Sequence, residues 1–144
     1  MGKRRLAREF ALQMLFQLDI TKDRPQEGIQ LFWATHESSD EIKEFANHLV
    51  EGTMEHLAFI DHCISLFAEK WSISRMPTVD RNILRFSTYE ILFMPETPDK
   101  VCINEALEIA KEYGTDESAP FINGILDKIV KDKDKLLSSP GSSS

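Results

Sequence analysis

Residues 4–20 read RRLAREFALQMLFQLDI. The stretch holds no Gly or Pro and is rich in Arg, Leu, Ala, Gln and Met, which lose little freedom on becoming helical. At about 100° per residue, Ala7, Ala11, Met14, Leu15 and Leu18 share one face, the expected core stripe of an amphipathic helix. Arg5, Arg8, Leu12 and Phe16 lie together on a side outside that stripe. The helix therefore carries a second apolar surface, flanked by arginines. Burying a phenylalanine contributes about 1.5–3 kcal/mol, so Phe16 is expected either to pack against another helix or to meet a partner.

Working outward, helical periodicity continues. Pro25 suits the first turn of a segment carrying Ile29, Leu31, Phe32 and Trp33. Ser39 or Asp40 can cap a long pattern from Ile42 to Phe67, read as one helix or two with Gly52 as the weak point. Residues 72–77 break the pattern. The next helix carries Val79, Ile83, Phe86 and Ile91 and must stop before Pro95 and Pro98. Asn104 is expected to cap a helix that ends at Gly114. Ser118 is expected to cap the last helix, with Phe121, Ile122, Ile125, Leu126, Ile129 and Val130 as its apolar set. No alternating pattern of useful length marks a strand. The expectation is an all-α domain of six or seven helices over residues 1–136, followed by a disordered serine-rich tail, 137–144.

The 144 residues fit one domain, and 42% apolar content suffices for a core. No apolar run is long enough to span a membrane, and the start lacks the features of a secretory signal. Two unclustered cysteines, Cys63 and Cys102, suit a reducing cytoplasm and are read as free thiols. Charge is unevenly placed. Four of the first eight residues, Lys3, Arg4, Arg5 and Arg8, are basic and none is acidic. Without those four cations, 13 Lys and Arg face 24 Asp and Glu, a balance of −11 against −7 for the whole chain. An acidic chain repels polyanions at long range, so any anionic partner must be met by a local patch. Lys3, Arg4 and Arg5 also oppose the helix macrodipole, a conflict that a bound polyanion would offset. Arginine suits bidentate phosphate contacts and base stacking.

Catalytic and cofactor signatures are absent. The glycines are too dispersed for a phosphate-cradling loop. His56, Asp61 and His62 lack the Glu-x-x-His spacing of a helical metal site, and neither cysteine has the context of a reactive thiol. No catalytic residue, metal ligand or cofactor is expected. In VDRNILRFSTYEI, residues 79–91, Asp80, Arg81 and Arg85 read first as a salt-bridged helix surface. SAPFING, residues 118–124, places a helix start, with its anion-attracting N–H groups, ahead of Gly124. A helical glycine costs about 1 kcal/mol relative to Ala, so Gly124 implies close backbone packing or a close ligand.

Three stretches together carry a family resemblance: RRLAREFALQMLFQ, the segment from Trp71 to Glu90 with VDRNILR, and INEALEIAKEYGTDESAPFINGILDK. They resemble the NusB family of bacterial transcription antitermination factors, over Arg4 to Lys128. The resemblance implies an all-helical fold of two packed sub-bundles without catalysis. It implies binding of boxA, a short single-stranded element of nascent ribosomal RNA, as a heterodimer with NusE, a small-subunit ribosomal protein. That pair joins other Nus factors and RNA polymerase in the antitermination complex. By the same resemblance Lys3, Arg4, Arg5, Arg8, Ser118 and Phe121 face RNA, while Phe16 and Asp80 face NusE. Both monomers and homodimers fit. Two other readings stay open: a helical interaction module whose basic N-terminus is incidental, and a NusB-like domain associated with RNA methylation, which would call for a glycine loop the sequence lacks.

Overall fold

Every residue from Asn82 to Leu92 is buried, polar ones included. That is more than one stripe of a helix, and it marks this helix as the centre of the molecule. The computed structural model describes residues 2–139 and, within them, only helices. In order these are α1 (Lys3–Thr21), α2 (Pro25–Thr35), α3 (Asp40–Glu55), α4 (Leu57–Phe67), a 3-10 turn (Ile73–Arg75), α5 (Thr78–Phe93), α6 (Asp99–Tyr113), α7 (Ser118–Lys131) and the short α8 (Lys133–Leu137). Helices α1–α3 form one sub-bundle and α4–α8 the other. Helix α5 packs against α1, α3, α4, α6 and α7, which is why even its polar residues from Asn82 to Glu90 are buried.

The expected stripe of α1, Ala7, Ala11, Met14, Leu15 and Leu18, is buried. Arg8 and Leu12, placed outside that stripe by the wheel, are only 3% and 2% exposed. Helix α5 covers that side of α1 too, so the buried arc is wider than the apolar pattern.

Several helix boundaries differ from expectation. The long pattern does divide, but at His56 rather than Gly52. Gly52 lies inside α3 against Tyr89, whose ring occupies the space a Cβ would need. His56 instead stacks its ring on Phe93, centroids 4.2 Å apart. Ser39 does cap α3, accepting from the Ile42 N–H at 3.3 Å. Helix α6 begins at Asp99, directly after Pro98, so Asn104 is an exposed interior residue and not a cap. The proline's φ of −59° already matches a helix entry. Ser118 is the first residue of α7, not its cap; its hydroxyl is used elsewhere. Gly124 is exposed with open space around it, so tight packing is not its role. The expected tail begins inside α8 at Leu137, which packs against the core; residues 140–144, like Met1, lie outside the described residues.

Candidate nucleic-acid interface

The four N-terminal cations part ways in the structure. Lys3 and Arg4 are exposed. Lys3 meets Glu41 of α3 at 3.1 Å in a solvated pair, worth little energetically. The Arg4 guanidinium sits 4.0 Å above the Phe45 ring, leaving its N–H groups free to face an anion in the ring plane. Arg5 makes a fork on Glu105 of α6, at 2.7 and 2.5 Å. These bonds raise the guanidinium's affinity for its proton and hold the Glu105 carboxyl below the usual range.

Arg8 is interior. Its Nε and Nη2 donate to Glu90 of α5 at 2.9 and 2.5 Å, and its Nη1 reaches Glu105 at 3.4 Å. Burial disfavours its charge, but the Glu90 bonds and charge outweigh that, so its pKa is raised. This pair ties α1 to α5 at one end.

A second buried network ties them at the other. Asp19 of α1 accepts from Arg81 Nε at 2.8 Å, Asn82 Nδ2 at 3.0 Å and Arg85 Nη1 at 3.1 Å. Arg85 also forks onto Asp61 of α4, both bonds at 2.9 Å. The arginines of VDRNILR thus find their acidic partners on other helices, while within α5 Arg85 also donates to Asn82 at 3.3 Å and Arg81 reaches Thr78 at 3.5 Å. Both cysteines are free thiols, Cys102 lying close to the Arg8–Glu90 pair; burial pushes the Cys63 thiol up to about 11, and burial with the Glu90 charge pushes that of Cys102 up to about 12.

At the N-terminal end of α5, Asp80 is 5% exposed and Ser118 1%. The Ser118 hydroxyl donates to Asp80 Oδ1 at 2.7 Å and accepts from the Thr115 N–H at 2.9 Å. Burial raises the Asp80 carboxyl's pKa, partly countered by that hydroxyl. The bond pins the start of α7 to the start of α5. One turn further on, Phe121 emerges into a cleft with Pro120, Trp71, Lys70, Glu69 and Lys128, the last bonding Glu69 at 3.4 Å in a solvated pair. Trp71 is 51% exposed. Arg8's partner Glu90 and Ser118's partner Asp80 are ten residues apart on α5, about 15 Å at 1.5 Å per residue. The two sets of residues expected at RNA are therefore separate patches. Phe16 is half-buried in a third feature, an apolar groove shared with Leu12, Ile20, Val79 and Tyr113. Val79 places that groove next to Asp80 in sequence.

The sequence pattern of the NusB family matches residues 5–131. The chain belongs to the NusB family. Among its relatives, the transcription antitermination protein NusB of Thermodesulfovibrio yellowstonii is 50% identical over 141 residues, covering 91% of this chain and 93% of that protein. Its counterpart in Desulfitobacterium hafniense is 50% identical over 138 residues, covering 92% and 90%. Of solved structures, T. maritima NusB superposes with a TM-score of 0.83 at 39% identity, over 94% of this chain and 97% of that one. A crystal structure of the antitermination factors NusB and NusE in complex with dsRNA superposes at 0.82, with 26% identity over 91% and 98%. Like these NusB structures, the chain is all-helical among the described residues. No helix among the described residues is long and apolar enough to cross a membrane.

Sequence reasoning missed Trp71, Lys70 and Lys128 as neighbours of Phe121, and Glu90 and Glu105 as partners of the arginines. The only available signal for the first group was a tryptophan and lysine in a segment that breaks the helical pattern. For the carboxylates there was none, since they lie far along the chain from Arg5 and Arg8.

Proposed function

We propose that this chain is a transcription antitermination factor that binds boxA RNA of nascent ribosomal RNA transcripts as a heterodimer with NusE. The pair acts with other Nus factors on the elongating RNA polymerase, supporting processive transcription and RNA maturation. The chain acts in the cytoplasm by binding, not by catalysis. Family membership supports this reading, as does the structural likeness to a NusB that is described with NusE and dsRNA.

The observation that carries the RNA assignment is the cleft of Phe121 and Trp71 beside Lys70 and Lys128. Exposed aromatic faces accept stacked bases, and flanking cations take the backbone. Lys3 and Arg4, with Arg5 behind them, form the second contact, reached by the same extended strand. Arg8 and Ser118 serve from within: Arg8 sets the position of the basic helix end, and Ser118 fixes the start of α7 so that Phe121 opens into the cleft. NusE covers the groove around Phe16. Asp80 supports that groove by anchoring the start of α5, whose Val79 forms its wall.

A gel-shift titration with single-stranded boxA RNA, with and without NusE, tests this. Phe121→Ala should weaken binding by about 1–3 kcal/mol, the worth of one stacked base. With about four phosphates neutralised, the slope of log K against log salt is near −3, and Lys3→Glu with Arg4→Glu should make it shallower by about 0.7 for each phosphate no longer neutralised. Unchanged affinity and slope in both variants would refute the assignment.

A further inference from the structure

Behind the groove around Phe16, linked to it through Tyr113, stands a buried carboxylate. The cavity measures about 430 Å³ and is lined mainly by apolar groups, with Gln13, Gln17, Thr21 and Tyr113 as its polar side chains. One turn before Gln13 stands Glu9, only 5% exposed, whose Oε2 has no hydrogen-bond partner among the described residues. Glu9 instead faces Glu112 and the Tyr113 hydroxyl of α6, and Tyr113 also bonds Gln13. The cation nearest along the helix, Arg5, forks onto Glu105, and its charge also acts on Glu108 and Glu9 without offsetting the burial of Glu9.

Two carboxyls in contact, one of them buried, cannot both stay ionised unless a cation joins them. Burial first, then the Glu112 bond and charge, raises the Glu9 pKa. Glu9 thus holds its proton to a higher pH than an ordinary carboxyl does. An oxygen that is buried and unpartnered beside an apolar groove marks the place of a missing donor.

We propose that the occupant of this groove is a segment of the protein partner that pairs an apolar side chain over Phe16 and Ile20 with a lysine or arginine seated between Glu9 and Glu112. The inference rests on the reading that a protein partner covers Phe16. At pH values where Glu9 is protonated in the free chain, binding then displaces that proton. Partner affinity rises with pH until that carboxyl is ionised in the free chain, and is flat above. It also falls with added salt, as an ion pair at a partly open rim requires.

Calorimetry of NusE binding by the full chain tests this, in two buffers of different ionisation enthalpy, across pH and salt. Phe16→Ala reports on the groove itself; Glu9→Gln and Glu112→Gln report on the cation seat. Glu112 is exposed, so its variant keeps the fold even if Glu9→Gln does not. The expected result is proton release by the parent chain in mildly acidic buffer, abolished in Glu9→Gln. Glu112→Gln should weaken binding by about fivefold to tenfold, the effect of removing one partner of a rim charge pair, and flatten the salt dependence. If Phe16→Ala weakens binding while both glutamine variants leave affinity, salt slope and proton release unchanged, the cation seat is overturned and the groove assignment stands. If Phe16→Ala also changes nothing, the groove assignment falls with it.

Discussion

Replacing Arg8 separates an interior role from direct contact with RNA. The Arg8 and Glu90 side chains are 4% and 1% exposed and share bonds of 2.9 and 2.5 Å. In Arg8→Met the Glu90 carboxylate loses both of these donors while remaining out of water. Breaking one side of such a pair costs about 3–5 kcal/mol. For a domain of this size that lowers the midpoint of thermal unfolding by about 10–15 °C. The double variant Arg8→Met with Glu90→Leu removes both charges and should recover to within about 1 kcal/mol of the parent, because two desolvated ions give little net advantage over well-packed apolar groups. Urea unfolding of the parent, both single variants and the double variant closes the cycle; the coupling should equal the two single losses less about 1 kcal/mol, so that Arg8→Met alone contributes about 2–4 kcal/mol to it. Gel shifts on the folded double variant should retain the parent's salt slope, since Arg8 reaches no phosphate. Additive single effects, or an Arg8→Met variant within about 1 kcal/mol of the parent, would refute the interior role. A shallower salt slope in the stable double variant would return Arg8 to the RNA surface.

Other substitutions probe the remaining networks. Burial alone would raise the Asp19 carboxyl, but bonds from Asn82 and Arg81 and the charge of Arg85 hold it below the ordinary range. Its contribution is therefore present above the unfolded value of about 3.9 and lost as pH falls through the lower folded value; Asp19→Asn should be less stable than the parent at pH 7, with the gap closing in acid by urea titration. Asp80 has the opposite sign, its pKa being raised by burial. Its ionisation opposes folding as pH rises through that value, so Asp80→Asn, which can still accept from Ser118, should be at least as stable as the parent at pH 7 and lose that advantage in acid. Gly52→Ala should destabilise by about 1–3 kcal/mol through overpacking against Tyr89. Gly124→Ala meets open space and should stabilise by about 0.5–1 kcal/mol, the ordinary advantage of Ala within a helix.

Local chemistry made much of the fold legible. The stripe of α1, the Pro25 start of α2, the Ser39 cap and the stop before Pro95 all depend on neighbours within a turn or two, and each stands in the structure. The boundaries that differ are those where another helix intervenes. Gly52 reads as a weak point until Tyr89 is seen filling its face, and Ser118 reads as a cap until Asp80 is seen accepting its hydroxyl. The same division holds for the candidate site. Phe121 and the basic start were visible as residue types, and the family resemblance attached roles to them.

By itself, then, the sequence determined an all-helical chain, an N-terminal concentration of positive charge on an acidic protein, and membership of a family with motifs specific enough to name. Only the tertiary structure decided which of those charges face solvent. Lys3 and Arg4 remain outside, while Arg8 turns inward to a carboxylate on α5. It also decided that Trp71 stands beside Phe121 and that Glu9 keeps a buried, unpartnered oxygen. The reason is physical: periodicity encodes which face of a helix is apolar, but the partner of a buried charge is set by which helices pack together, and that packing joins residues from most of the chain.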